Sequence, residues 1–208
     1  MLDDRTGPAL PPEPRTCVAG PVTTNKETAM NNRKLGANGP QVTECGLGCW
    51  QLGGGWGKPW SDETAQATLT AAYDAGVRFF DTANVYGDGD SERSVGNFLR
   101  TRSDVFIATK LGRGDIYPDG YTREALREAT LASLRRLGVK HLDLTQLHCV
   151  PLQTLREGKV FDWLREQREE GLIERFGASV ETVEEGLLCL EQEDLSTLQV
   201  IFNIFRQK

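Results

Sequence analysis

The sequence is poor in the features that mark membrane proteins, nucleic-acid binders and disulfide scaffolds. No apolar run approaches the roughly 20 residues that span a bilayer, and the opening MLDDRTG is acidic where a secretory leader is basic. Positive charge is in deficit: 24 Lys and Arg against 30 Asp and Glu leave a formal charge of −6, so the chain lacks the basic field that phosphate backbones require. The five cysteines (Cys17, Cys45, Cys49, Cys149, Cys189) are odd in number and form neither a CxxC nor a Cys/His pair at zinc spacing. These absences predict a soluble, cytoplasmic protein with reduced, mostly structural thiols, no metal, and no nucleic-acid or membrane partner.

What is present suits one domain: 208 residues, 38 % of them hydrophobic, are enough to build a core. More than half of the nine prolines fall in residues 1–32, where apolar periodicity is absent, and this stretch is predicted to be a disordered tail. Met30, just ahead of RKLGANGPQVTECGLG, is an alternative start. From Arg33 onward the pattern changes. Arg33–Leu35 and Gln41–Thr43 flank Asn38-Gly39, a dipeptide suited to a tight turn, which predicts a short hairpin.

Strand-like runs then alternate with amphipathic helices. The strands are Gly46–Trp50, Val77–Phe80, Val105–Thr109, Leu142–Leu147, Ile173–Ala178 and Leu198–Ile204. The helices are Asp62–Ala75, Glu92–Arg100, Arg123–Leu137, Gly158–Glu170 and one opening at the capping box Thr182-Val-Glu-Glu185. Repeated βα units at about 30-residue spacing call for a parallel sheet covered by helices. A doubly wound sheet would carry G-x-G-x-x-G after its first strand; here Gly46-Leu-Gly48 runs into Cys-Trp-Gln51, which leaves the barrel.

Polar residues stand where the strands end: Asp81 after VRFF, Lys110 after VFIAT, His148 after LDLTQL, with Tyr86 five residues beyond Asp81. In a βα barrel these positions open on the carboxyl rim, where active sites of that fold lie. An acid, a base, a phenol and an imidazole on three neighbouring strand ends are hard to explain by packing.

DTANVYG, ATK, LDLTQLHCVP and GLIERFGAS together resemble the aldo-keto reductase family in order, spacing and context, from about Arg33 to the last residue. The resemblance implies a (β/α)8 barrel that uses NADPH to reduce aldehydes and ketones, with Asp81, Tyr86, Lys110 and His148 as its catalytic set. In such a set carbonyl reduction needs a proton delivered to the oxygen as charge grows there, and Tyr86 would be the acid, with the Lys110 ammonium favouring the phenolate it leaves. Asp81 would keep Lys110 charged and placed, His148 would orient the substrate oxygen, and the hydride, beyond any side chain, requires a nicotinamide. It also implies that Ser179 and Gln199 hold the nicotinamide carboxamide, Val180 standing where the family has Asn. Trp50 resembles the aromatic of the family's substrate mouth, and Trp56 and Trp60 follow it in a Gly-rich loop. About six of eight βα units are found, so the expected fold is an incomplete TIM-type barrel. The parts that grip the 2′-phosphate fall outside it, and the choice between NADP and NAD stays open. Weak cofactor binding, low stability and self-association through open edges are expected. The competing expectation is an inactive barrel that serves as a partner-binding or regulatory module.

Overall fold

The computed structural model describes residues 30–36, 38–54 and 59–206. The predicted tail up to position 29, Cys17 and Trp56 lie outside the described residues. The hairpin forms as expected: β1 (Asn32–Lys34) pairs antiparallel with β2 (Gln41–Thr43), Arg33 facing Val42 across the ladder. Asn32, assigned to the tail from the sequence, is thus the first hairpin residue. Thr43 Oγ1 accepts a hydrogen bond from the Arg78 amide at 3.1 Å, tying the hairpin to the amino end of the barrel.

Six strands follow in one parallel sheet, in chain order: β3 (Leu47–Gly48), β4 (Phe79–Asp81), β5 (Phe106–Leu111), β6 (Leu144–His148), β7 (Phe176–Val180) and β8 (Thr197–Val200). The helices between them are α1 (Asp62–Asp74), α2 (Asp90–Leu99), α3 (Arg123–Leu137), α4 (Leu152–Glu157), α5 (Lys159–Glu169) and α6 (Val183–Leu190). The sheet is curled into a half-barrel. Gln199 on β8 donates to Asp81 on β4 at 3.2 Å although three strands lie between them, a reach only a curved sheet allows. Gly177 makes room inside the curl, since a Cβ there would sit 2.1 Å from Thr197 Oγ1.

The helix ends obey the local chemistry of their sequences. Ser61 and Thr122 accept from the Thr64 and Ala125 amides, and Gly138, at φ 68°, closes α3. The Thr182/Glu185 capping box is complete. Three elements differ from the sequence reading. The first strand is only two residues long, because the chain turns into a 3-10 helix at Trp50–Gly53. The segment read as the helix Gly158–Glu170 is preceded by the separate helix α4, and Gly158, at φ 75°, breaks the two apart. The last strand stops at Val200, because Asn203 Oδ1 accepts from the Phe205 amide and folds the chain into a turn.

Side chains alternate across β5. Ile107 and Leu111 are buried on the face toward the helices, and Thr109 there donates to Glu92 of α2 at 2.5 Å. Glu92 is fully buried and also accepts from Arg136 of α3 at 2.6 Å, so one carboxylate joins α2, β5 and α3 directly behind Lys110. Removing one partner of a buried pair leaves an uncompensated charge. Glu92→Ala is expected to lower unfolding stability by about 2–4 kcal/mol, the lower end because Arg136 is partly exposed; urea denaturation of the two proteins measures it.

Candidate active site

The carboxyl ends of β4, β5 and β6 bring Asp81, Lys110 and His148 together, and the loop after β4 returns Tyr86 to them. Lys110 is 2 % exposed. Its ammonium donates to Asp81 Oδ2 at 2.7 Å, to the Thr82 carbonyl at 3.0 Å and to the Tyr86 hydroxyl at 3.2 Å, which commits all three of its protons. Asp81 Oδ2 also accepts from Gln199. The Tyr86 and His148 rings meet edge to face, 5.7 Å between centroids. The four residues singled out from the sequence thus share one site.

Tyr86 is held by a close approach of two loops. Gly87, at φ 59°, lies against Gly53 of the 3-10 helix, and a Cβ on Gly87 would fall 1.9 Å from the Gly53 carbonyl oxygen. Behind the site, Ser91 donates to the Cys49 carbonyl at 2.7 Å and bonds the Thr82 hydroxyl at 2.8 Å, locking the start of α2 to the ends of β3 and β4. Burial pushes the Cys49 thiol up to about 12, so Cys49 is an inert wall of the site.

Ser179 and Gln199 stand at the same level as His148, in register across β6, β7 and β8. Gln199 Oε1, Asp81 Oδ1, Asn84 Oδ1 and His148 Nδ1 are buried without a partner among the described residues. A nicotinamide carboxamide fits this donor-poor rim: its amide protons match Gln199 Oε1, and Ser179 can meet its oxygen. Val180, buried where the family has Asn, offers no polar group. Trp50 sits on the 3-10 helix, 48 % exposed. Trp60 donates to Ser94 at 3.1 Å and lines a cleft beside β3 and α1 whose lining includes none of the tetrad. The structure also adds partners that the sequence reading missed: the Thr82 carbonyl on the ammonium, the Gln199 amide on Asp81, and Arg113 beside His148.

Among the described residues, His141, Asp143 and Glu174 are close enough together to hold a cation. They lie at the amino ends of β6 and β7, opposite the tetrad, and are already engaged: His141 with Glu174 at 3.0 Å, Asp143 with the Ile107 amide at 2.8 Å. No described helix is long and apolar enough to cross a membrane.

Burial, then the charges of Lys110 and Arg113, lower the His148 pKa from 6.5 to about 4. Between those two values the folded chain binds fewer protons at His148 than the unfolded chain, so stability is lost as pH falls through that window. From pH 7 to pH 4.5 the wild type should lose on the order of 2 kcal/mol more than His148→Gln, which cannot titrate. Paired urea titrations at the two pH values check the difference.

The Aldo/keto reductase family model matches residues 44–208. The chain is 33 % identical over 156 residues to the oxidoreductase YqkF of Bacillus subtilis, covering 72 % of this chain and 49 % of that one. It is 32 % identical to the oxidoreductase C215.11c of Schizosaccharomyces pombe, covering 80 % and 56 %. The chain thus spans about half the length of these curated relatives. Among solved structures, a putative aldo-keto reductase from Pseudomonas aeruginosa superposes with TM-score 0.76 at 30 % identity, covering 88 % of this chain and 72 % of that one. An aldo-keto reductase from Klebsiella pneumoniae, in complex with NADPH, gives TM-score 0.70 at 28 % identity, covering 84 % and 59 %. With the family model covering most of the sequence and the sheet curled as in these enzymes, the chain belongs to the aldo/keto reductase family of oxidoreductases.

Proposed function

We propose that this chain carries the chemical half of an NADPH-dependent carbonyl reductase, acting on small aldehydes or ketones in the cytoplasm, with Tyr86 as proton donor. The observation that carries the reading is the direction of one hydrogen bond. Lys110 donates to the Tyr86 oxygen, so the phenol keeps its own proton for an incoming carbonyl oxygen. After transfer, the phenolate lies 3.2 Å from an ammonium already fixed by Asp81 and Thr82. That arrangement stabilises developing charge without reorganisation.

His148, neutral at pH 7, orients the substrate oxygen and leaves proton delivery to Tyr86. Ser179 and Gln199 would hold the carboxamide of a nicotinamide, which when bound supplies the hydride. Asp81, bonded to both Lys110 and Gln199, couples the placement of the proton relay to that of the cofactor-facing amide. Tyr86→Phe should lower kcat by about 10²–10⁴ for every aldehyde reduced, leaving NADPH binding, read by nicotinamide fluorescence, within twofold. Equal turnover in the two proteins would overturn the assignment.

The competing reading, a binding module, draws on the flank at α6 and β8. Val183, Leu187 and Leu190 are each 61 % exposed there, beside Phe202 at 80 % and Phe205 at 92 %. Exposed apolar side chains gathered on one flank suit an association surface, and the occupant proposed is a second copy of the chain. Sedimentation velocity should show concentration-dependent dimerisation that Leu187→Glu weakens; a monomer at all concentrations would dismiss it.

A further inference from the structure

The mechanism leaves one charged residue of the rim without a task. Arg113 stands on the loop between β5 and α3, three residues beyond Lys110. That loop is fixed in place: Gly112 takes φ 109°, and the Tyr121 hydroxyl, raised to about 12 by burial, donates to the Gly112 carbonyl at 2.6 Å. Arg113 Nε reaches the His148 carbonyl at 3.4 Å, its guanidinium stacks 5.1 Å from the Tyr117 ring, and its nearest carboxylate, Glu181, is 3.7 Å away.

That contact is looser than those of the arginines that tie the helices and strands together. Arg78 holds Asp104 at 2.9 Å, Arg136 holds Glu92 at 2.6 Å, and Arg165 and Arg168 both hold Asp194 at 2.8 Å. Arg113 and Glu181 are partly exposed, at 36 % and 56 % of their side chains, and such pairs contribute little. The guanidinium is therefore anchored at the barrel mouth by the His148 carbonyl, the Cys149 side chain and the Tyr117 ring, with no carboxylate in hydrogen-bonding range. Lys110 cannot serve an anion there, because its three protons are already given away. His148, neutral at pH 7, brings no charge to it.

Resting on the reductase reading above, we propose that Arg113 is a specificity-determining residue that binds a carboxylate carried by the carbonyl substrate. A guanidinium fork matches a carboxylate in two parallel hydrogen bonds, and such a contact at the mouth orients the carbonyl toward Tyr86. An aldehyde acid is thus preferred over its neutral ester. A cofactor pyrophosphate offers the same anionic chemistry, so the test separates the two sources.

Two measurements on the full chain decide it. The first is the ratio of kcat/KM for 4-carboxybenzaldehyde to that for its methyl ester, in wild type and Arg113→Met. The ratio is expected to exceed ten in the wild type and to fall at least tenfold in the variant, through KM. The second needs no turnover. The chain has only two histidines, so the His148 proton resonance is assignable with His141→Gln. Benzoate should raise the His148 titration midpoint in the wild type by neutralising Arg113, and should fail to do so in Arg113→Met; methyl benzoate should do nothing. An unchanged ratio, or a midpoint that responds to inorganic pyrophosphate and not to benzoate, overturns the proposal. If benzoate shifts His148 but neither aldehyde is reduced, the carboxylate site stands and the reductase reading falls.

Discussion

A buried ammonium dictates the shape of this site. Lys110 is charged and almost wholly out of water, and a charge so placed is tolerated only where its protons find acceptors. It finds three: a carboxylate at the end of β4, a carbonyl one residue later, and a phenol four residues beyond that. These acceptors all lie in the segment Asp81–Tyr86, so satisfying the lysine fixes the loop that carries Tyr86. The geometry needed for chemistry and the geometry that removes an unpaired charge are the same.

The pleat of β5 extends this coupling outward. Lys110 points into the curl, and Thr109 beside it points to the helices and bonds Glu92, itself held by Arg136. Two buried charge networks therefore sit back to back on adjacent residues of one strand. Each restricts the backbone that the other depends on. Alternation across a strand does this at no extra length, because neighbouring residues necessarily address opposite faces.

The parts legible in the sequence were those governed by local chemistry. Capping residues, closing glycines and apolar runs gave the helices α1, α3 and α6, the hairpin, and the order of six parallel strands. Polar residues ending apolar runs gave the tetrad, since in a parallel sheet every strand end opens on the same rim. Illegible were features set by packing or by local competition. The helix α4 is six residues between Pro151 and Gly158, too short to show a period. Phe202-Asn203-Ile204-Phe205 alternates like a strand, but the Asn203 side chain captures the Phe205 amide and turns the chain. Arg113 carried no signal at all, because an arginine two residues past a strand is ordinary until the fold sets it beside the His148 carbonyl.

The bond from Gln199 to Asp81 joins the first and last parts of the site. Gln199 is 118 residues beyond Asp81, and it gives one amide proton to the carboxylate while its oxygen stays unmet among the described residues. An amide oriented this way presents its oxygen as an open acceptor, which suits an approaching hydrogen-bond donor. The lysine's demand for a carboxylate thus propagates through Asp81 to the polarity presented on β8. Replacing Gln199 would free Asp81 to swing toward Lys110 alone and would remove the fixed acceptor with it. Asp81, Lys110 and Tyr86 at the ends of β4 and β5 and Gln199 on β8 are therefore one hydrogen-bonded unit, held at the carboxyl rim by the curvature of the sheet.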